Sequence, residues 1–421
     1  AVFKMAGAAQ GFRRFKTRKG VPLNCLFVDD FSELQLFEGA TNKTAVFIMH
    51  KGQKQKYPVT YTYWRKKELG RKGSFGYDAT LQEVTQKTAR SNWKAEPADP
   101  NDSTSSWLTG NEWVIKTVKN VLGKSDYSAH QGVNTGGANA AYWFEILKDH
   151  KDGTVTARNL TEGAKRKIES VQVRLERDIL YPLLIRQDVV AWKAVPSADL
   201  LFVQDVSKRR GIDEDVMKRD FPLALSWLKQ HEVMIRQRAA YERYYDPEKA
   251  PFYSMFDVGG YTVKPWRVIW PRIARTIEAA VVSKVNGRIV LAQETFSLVG
   301  FDGELEANYV AGVLNSTLFR YAVSCFSQPG SKSFGTPSIL EKARIPKFDP
   351  GSHLHQKISA EAKRLASGAS DASQPMYMTL DSLCAGLWTI DEKGVKAVQD
   401  AYSELYTTEQ KEKAEETVVD E

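Results

Sequence analysis

The chain has 421 residues, enough for two or three domains and a sizeable buried core, with the apolar and charged fractions of an ordinary soluble protein. Its net charge of +8 understates a basic body, because the tail from Thr408 to Glu421 carries six acids against Lys411 and Lys413. No apolar run is long enough for a membrane-spanning helix. No charged-then-apolar leader follows Ala1; the missing Met and an opening in mid-pattern read as a fragment of a longer protein, with removal of Met as the alternative. Cys25, Cys325 and Cys384 stand far apart without a CxxC pair, which argues against a disulfide framework and a structural zinc site and fits a reducing cytoplasm.

In chain order, Pro22–Phe31 predicts a strand, 31–38 a loop or single turn, and Thr44–His50 a second strand of the kind buried in a covered sheet. Asp29-Asp30 reads as a surface turn after the first strand. Residues 65–106 are polar and basic and read as a linker. Asn111–Leu122 predicts a helix stopped by Gly123. A glycine-rich turn spans 130–139, a strand follows over Ala141–Leu147, and Lys151-Asp152-Gly153 marks a hairpin. Glu176–Leu184 is a short element, and Leu200–Val206 a strand.

Asp220–Tyr245 is the clearest predicted helix, with Leu225, Leu228, Ile235 and Ala239 as its apolar stripe and Arg236, Arg238 and Arg243 beside or behind it. Pro265–Pro271 predicts a strand. Asn286-Gly287, between Ala279–Val285 and Arg288–Ala292, predicts a hairpin. Glu304–Val323 predicts one helix, 327–338 a Gly/Ser/Pro loop, and Ile345–Phe348 a short extended piece. The remainder is helical and ends in an acidic tail expected to be disordered.

No GxGxxG loop, Walker loop, HExxH, GxSxG or kinase set is present, so no self-contained active site is legible and no catalytic or metal-ligating residue is assigned. His353-x-His355 is the only close histidine pair.

Gly11-Phe12-Arg13-Arg14-Phe15, then Val28-Asp29-Asp30-Phe31, then the stretch 37–47 (FEGATNKTAVF) resembles the late motifs of gamma-class adenine-N6 DNA methyltransferases of type II and type IIG restriction–modification systems and related phage-defence enzymes. Downstream, the segment 130–139 (HQGVNTGGAN) looks like the turn that opens TaqI-like target-recognition regions. Leu180-Tyr181-Pro182-Leu183-Leu184 with Asp188-Val189 and Trp192 continues the resemblance. Tyr261-Thr262 with Pro265-Trp266, Leu314-Asn315-Ser316, Phe334-Gly335-Thr336-Pro337 and Ile345-Pro346-Lys347-Phe348 complete it.

The resemblance implies an α+β chain with four parts. Residues 1–64 would be the trailing strands of an α/β SAM-methyltransferase sheet and 65–106 a basic linker. Residues 107–350 would form the DNA-specificity domain, and 351–421 a helical C-terminal region with the acidic tail. The family's SAM-binding glycine motif, its Asn-Pro-Pro-aromatic motif and any nuclease motif are absent. SAM binding and methyl transfer would therefore need a missing N-terminal catalytic domain or a separate catalytic chain, and no cofactor is expected on this one. The implied partner is double-stranded DNA, whose target adenine such an enzyme takes out of the stack.

Within that reading, Arg13, Arg14, Lys66, Lys67, Lys208, Arg209 and Arg210 are candidates for phosphate contact, which fixes register without carrying sequence information. Arg18, Lys19, Arg71, Lys72 and the cluster Lys165–Lys167 belong to the same basic runs. Asn134, Thr135, Gly136, Gly137 and Asn139 are candidates for base or backbone contact, since Asn can bond adenine bidentately and glycine admits close approach. Ser331, Lys332 and Ser333 form a second candidate loop. Trp64, Trp143, Trp192, Trp266 and Trp270 read as core. Two other readings stay open: a stand-alone specificity subunit acting with a separate catalytic chain, and a protein-interaction scaffold that binds no DNA.

Overall fold

The computed structural model describes residues 9–34, 36–37, 44–67, 79–162, 164–166, 168–185, 187–246, 248–331, 334–369, 372, 374 and 376–419. The architecture is mixed α+β, with several sheets and C-terminal helices. The chain divides into two compact units: Ala1–Lys124 with Ser316–Phe334 and Pro375–Glu421, and Ser125–Asn315 with Gly335–Gln374.

The first unit is built on a five-stranded sheet in the spatial order Ala45–Lys51, Leu23–Asp30, Val59–Lys66, Thr88–Pro97, Trp107–Gly110. Leu23–Asp30 and Val59–Lys66 run parallel, and the other neighbours are antiparallel. Alternation along the strands sends Val28, Tyr61, Tyr63, Trp93 and Ala95 into one core. Tyr63 and Trp93 stack there with centroids 4.5 Å apart, a geometry worth about 0.5–1.5 kcal/mol beyond area burial.

Three sequence expectations change here. Ala45–Lys51 is an edge strand rather than a covered one, with Val46 and Ile48 48% and 42% exposed, because only Leu23–Asp30 flanks it. Asp30 lies inside its strand, 2% exposed, accepting from the Ser32 amide at 2.9 Å and from the Tyr61 hydroxyl, so it is no surface turn. The segment 65–106 is no simple linker. It supplies the helix Leu81–Lys87, with a Thr80/Glu83 capping box, and the strand Thr88–Pro97. Its polar composition is that of a one-sided strand: Arg90 and Asn92 face outward while Trp93 and Ala95 are buried.

The helices Glu112–Val118, Thr317–Phe326, Met378–Ala385 and Glu392–Val419 complete this unit. The last includes most of the acidic tail, which was expected to be disordered. Among the described residues, no helix is long and apolar enough to cross a membrane.

The second unit holds two larger sheets. One has six strands in the order Leu291–Ala292, Leu180–Leu184, Ala198–Leu201, Trp143–Asp149, Thr154–Asn159, Gln172–Glu176. The other has four, in the order Ala280–Val282, Trp266–Pro271, Phe296–Phe301, His130–Gln131. Asn286 and Gly287 both take positive φ (49° and 77°) and turn Lys284–Val285 back onto Arg288–Ile289, as their sequence predicts.

The two long predicted helices each break. The region 214–244 is four short helices, Glu214–Asp220, Pro222–Gln230, Glu232–Arg236 and Ala239–Tyr244. Pro222 lacks the amide that would continue the first of them. Ala239 is exposed, whereas Arg238 is fully buried. The region 304–323 divides at Asn315/Ser316. Asn315 turns its carboxamide onto both the amide and the carbonyl of Ala279, each at 2.8 Å. Ser316 then caps the next helix at the Phe319 amide.

Candidate nucleic-acid interface

The turn at 132–139 is pinned before it is shaped. Gly132 sits so close to the neighbouring chain that a Cβ would lie 2.2 Å from the Gln293 carbonyl oxygen. Its amide donates to Phe296 at 3.0 Å, and the Val133 amide to Ala292 at 2.8 Å. Asn134 and Phe256 exchange backbone hydrogen bonds of 3.1 and 2.9 Å. Three segments distant in sequence therefore meet at the base of the turn.

The turn itself follows from its side chains. Asn134 Oδ1 accepts from the Gly136 amide at 2.8 Å, and Gly136 and Gly137 take φ of +68° and +82°. The Thr135 hydroxyl bonds the Asn139 carboxamide. Beneath the turn, Arg238 is 0% exposed and donates to the carbonyls of Thr135 (3.1 Å), Ile235 (2.7 Å), Phe252 (2.7 Å) and Ser254 (2.8 Å). The Phe256 and Tyr241 rings lie 5.1 and 5.7 Å from the guanidinium. A buried charge thus ties the turn to the segment 252–254.

An open cleft of about 500 Å³ lies beside the turn, lined by Asn134, Gly137, Asn139, Trp143, Lys165 and Glu294 among others. Burial pushes the Glu294 carboxyl above the usual range, with its own backbone amide, then Lys165 and Arg272, opposing. Arg272 Nη1 donates to the Glu294 carbonyl at 2.8 Å and to Gln131 Oε1. Gln131 Nε2 in turn donates to Asp257 at 3.1 Å, and the Asn134 side chain also bonds that carboxylate. His130 stacks on Tyr261 with centroids 3.7 Å apart and rings nearly parallel. Burial, then the charge of Arg209, lowers the His130 pKa, with Asp257 opposing.

Of the basic trio 208–210, Lys208 is paired with Asp213 at 2.6 Å and Asp205 at 3.7 Å, and Arg210 with Asp213 at 2.6 Å. Arg209 is exposed at the hairpin tip with φ +53° and makes no ion pair among the described residues. The structure therefore gathers Asn134, Thr135, Gly136, Gly137, Asn139 and Arg209 in one unit, and adds Gln131, Asp257, Arg272 and Glu294 to them. Gln131 lies within the quoted 130–139 segment. Arg272 and Glu294 give no local sequence signal, because only chain return brings them here.

The other candidates fare differently. Arg13 is 2% exposed with Nε on the Thr104 carbonyl at 2.7 Å, so its expected phosphate contact is replaced by a structural bond. Arg14 and Lys67 are exposed, and Lys66 is half-buried. Ser331 is half-buried, its amide 3.2 Å from the Gln328 carbonyl, while Lys332 and Ser333 lie outside the described residues, as do Arg71, Lys72 and Lys167. Trp143, Trp192 and Trp270 are buried. No cluster of three or more metal-ligating side chains stands among the described residues. His355 accepts from the Asp349 amide at 2.9 Å and packs on Tyr309.

No protein-family model matches the chain. Over 148 residues, 35% of this chain and 30% of the relative, it is 25% identical to the type II methyltransferase M.NspV of a Nostoc species. In fold, 91% of the chain matches 46% of the type IIL restriction-modification enzyme MmeI, solved in complex with DNA, at a TM-score of 0.51 and 11% identity. The type IIG restriction endonuclease BpuSI is matched over 97% of this chain and 46% of its own, at a TM-score of 0.37 and 14% identity. The chain is distantly related in sequence to the type II methyltransferase M.NspV over about a third of its length, and it spans less than half the length of each of these proteins.

Proposed function

We propose, from that distant kinship, that this chain reads double-stranded DNA as the target-recognition part of an adenine-N6 DNA methyltransferase of a restriction–modification or phage-defence system. SAM binding and methyl transfer belong to polypeptide outside this sequence. The observation that most supports the reading is the convergence in one unit of the Asn134–Asn139 turn, an exposed Arg209 with no ion pair among the described residues, and an open cleft. Arg209, Arg14 and Lys67 are suited to phosphates, and the cleft to base edges. The fold shared with a DNA-bound restriction-modification enzyme is consistent with this division.

Duplex binding measured by fluorescence anisotropy across a salt series tests it. The logarithm of the affinity is expected to fall linearly with the logarithm of salt concentration, with a slope near −0.9 for each phosphate neutralised. No binding at low salt, or a flat salt dependence, would sink the reading and leave the protein-interaction scaffold. Calorimetric titration with SAM is expected to show no binding, and tight binding would overturn the proposed division of labour.

A further inference from the structure

We infer that Glu294 specifies a cytosine: its carboxylate accepts a hydrogen bond from the exocyclic amino group of one cytosine in the bound duplex. The assignment rests on the proposed DNA-recognition role and adds the base chemistry that the cleft selects.

The first argument is the donor and acceptor inventory of the cleft. Its ionisable lining is Glu162, Glu294 and Lys165, two carboxylates to one ammonium, joined by the carboxamides of Asn134, Asn139 and Gln293 and the Thr295 hydroxyl, the last two bonded to each other. Phosphodiester oxygens only accept hydrogen bonds and carry negative charge, so this lining disfavours them. It favours a base edge that donates.

The second argument is which of these groups remains available. Asn134 is occupied at both ends, by the Gly136 amide and by Asp257. Asn139 Oδ1 is taken by the Thr135 hydroxyl. Glu294 differs: its Oε2 is shielded from solvent and accepts no hydrogen bond from any described residue. Carboxylate oxygens in that condition are uncommon in native proteins and call for an external donor. Burial raises this carboxyl above the usual range although its own backbone amide donates to it, so the remaining oxygen, Oε2, is the one left for a ligand.

The third argument is rigidity. The Gln293 amide donates to Leu184 at 3.1 Å, Arg272 holds the Glu294 carbonyl at 2.8 Å, and the Phe296 amide returns to Gln293 at 3.1 Å. Base reading needs such a fixed platform.

Cytosine is the base whose major-groove edge fits. It offers the N4 amino donor alone, whereas adenine sets its N7 acceptor beside N6, guanine presents two acceptors, and thymine an acceptor and a methyl group. An N7 lone pair against a carboxylate would be repulsive, so adenine is the second choice.

Selection from a randomised duplex library with the full chain tests the assignment, using wild type, Glu294→Gln and Glu294→Ala. Wild type is expected to enrich cytosine at one fixed position. Both variants are expected to lose that preference, by roughly five- to 150-fold in relative affinity, with the remaining positions and the salt slope unchanged. The near-isosteric Gln variant guards against misfolding as the cause, and a shift of its preference toward adenine would support direct contact. Unchanged cytosine preference in both variants overturns the assignment while leaving DNA recognition standing. Binding without base preference, or no binding, removes the assignment together with the recognition reading.

Discussion

The two units treat their basic residues in opposite ways. In the first, Arg13 and Arg14 are adjacent in sequence and part company in space, one buried on the Thr104 carbonyl and the other exposed. Lys66 ends the strand Val59–Lys66 half-buried, and Lys67, just past it, is exposed. In the second unit, residues far apart in sequence converge: His130, Asp257, Arg272 and Glu294 meet around one turn, and Arg209 reaches them from a hairpin. A basic run in a sequence is thus a poor guide to a basic surface. Chain return makes the site, and one buried guanidinium holds it.

The comparison can be broken most severely at that guanidinium. Arg238→Met removes donors from four backbone carbonyls that no water reaches readily. We expect a loss of on the order of 4 kcal/mol in chemical denaturation, and a variant that folds with unchanged stability would refute the tether. Gly136→Ala comes next. It strains a left-handed residue and sets a Cβ 2.9 Å from Arg238 Cδ. A cost of about 2–4 kcal/mol is expected. Gly137→Ala is the control: its Cβ would meet only Lys165, at 3.5 Å, so only the backbone penalty of about 1–2 kcal/mol applies. Equal losses at the two positions would show that packing on Arg238 is not the constraint.

A smaller effect sharpens the comparison at the surface. Arg209→Ala is expected to lower the salt slope of duplex binding by about 1, as for one lost phosphate contact. Lys208→Ala, which removes a cation already paired with Asp213, is expected to change it less. Arg13→Ala is expected to lower stability and leave the slope unchanged. A slope change for Arg13 equal to that for Arg209 would erase the contrast between the units.

The smallest expected effect is on pH dependence. His130, His231 and His355 are all lowered from 6.5, with burial the leading cause in each. The unfolded chain therefore takes up protons first as pH falls. Stability is complete above about 6.5 and declines below it, toward the lowered folded values. Urea midpoints at pH 7.5 and 5.5 read the decline, and His130→Gln is expected to flatten it.

Much of the fold was legible where local chemistry decides it. The Asn-Gly hairpin, the glycine-rich turn and the edges of Leu23–Asp30 and Trp266–Pro271 depend on neighbouring residues alone. The long helices were not legible as they stand. Arg238 carries helix-forming composition, yet its side chain is spent on carbonyls at 135, 252 and 254, which no sequence window contains. Asn315 likewise ends a helix because Ala279 takes its carboxamide. The strand Ala45–Lys51 has the apolar content of a covered strand, and its place at the sheet edge depends on topology rather than on composition. Within the candidate site, the turn residues were visible because their types are unusual. Glu294 and Arg272 were not, since a single acid or base in a polar stretch looks like any other.

The chain passes between the two units four times, after Lys124, Asn315, Phe334 and Gln374. The second unit is therefore not a contiguous cassette. A recombination event with two crossovers around residues 125–315 would carry away the turn, the cleft and Arg209 while leaving behind 335–374, including the Gly335 carbonyl that accepts from the Trp270 indole at 2.8 Å. On the proposed reading, exchange of specificity by swapping one block of sequence is thereby constrained. The transferable piece is two separated segments that must travel together, or a handful of side chains changed in place.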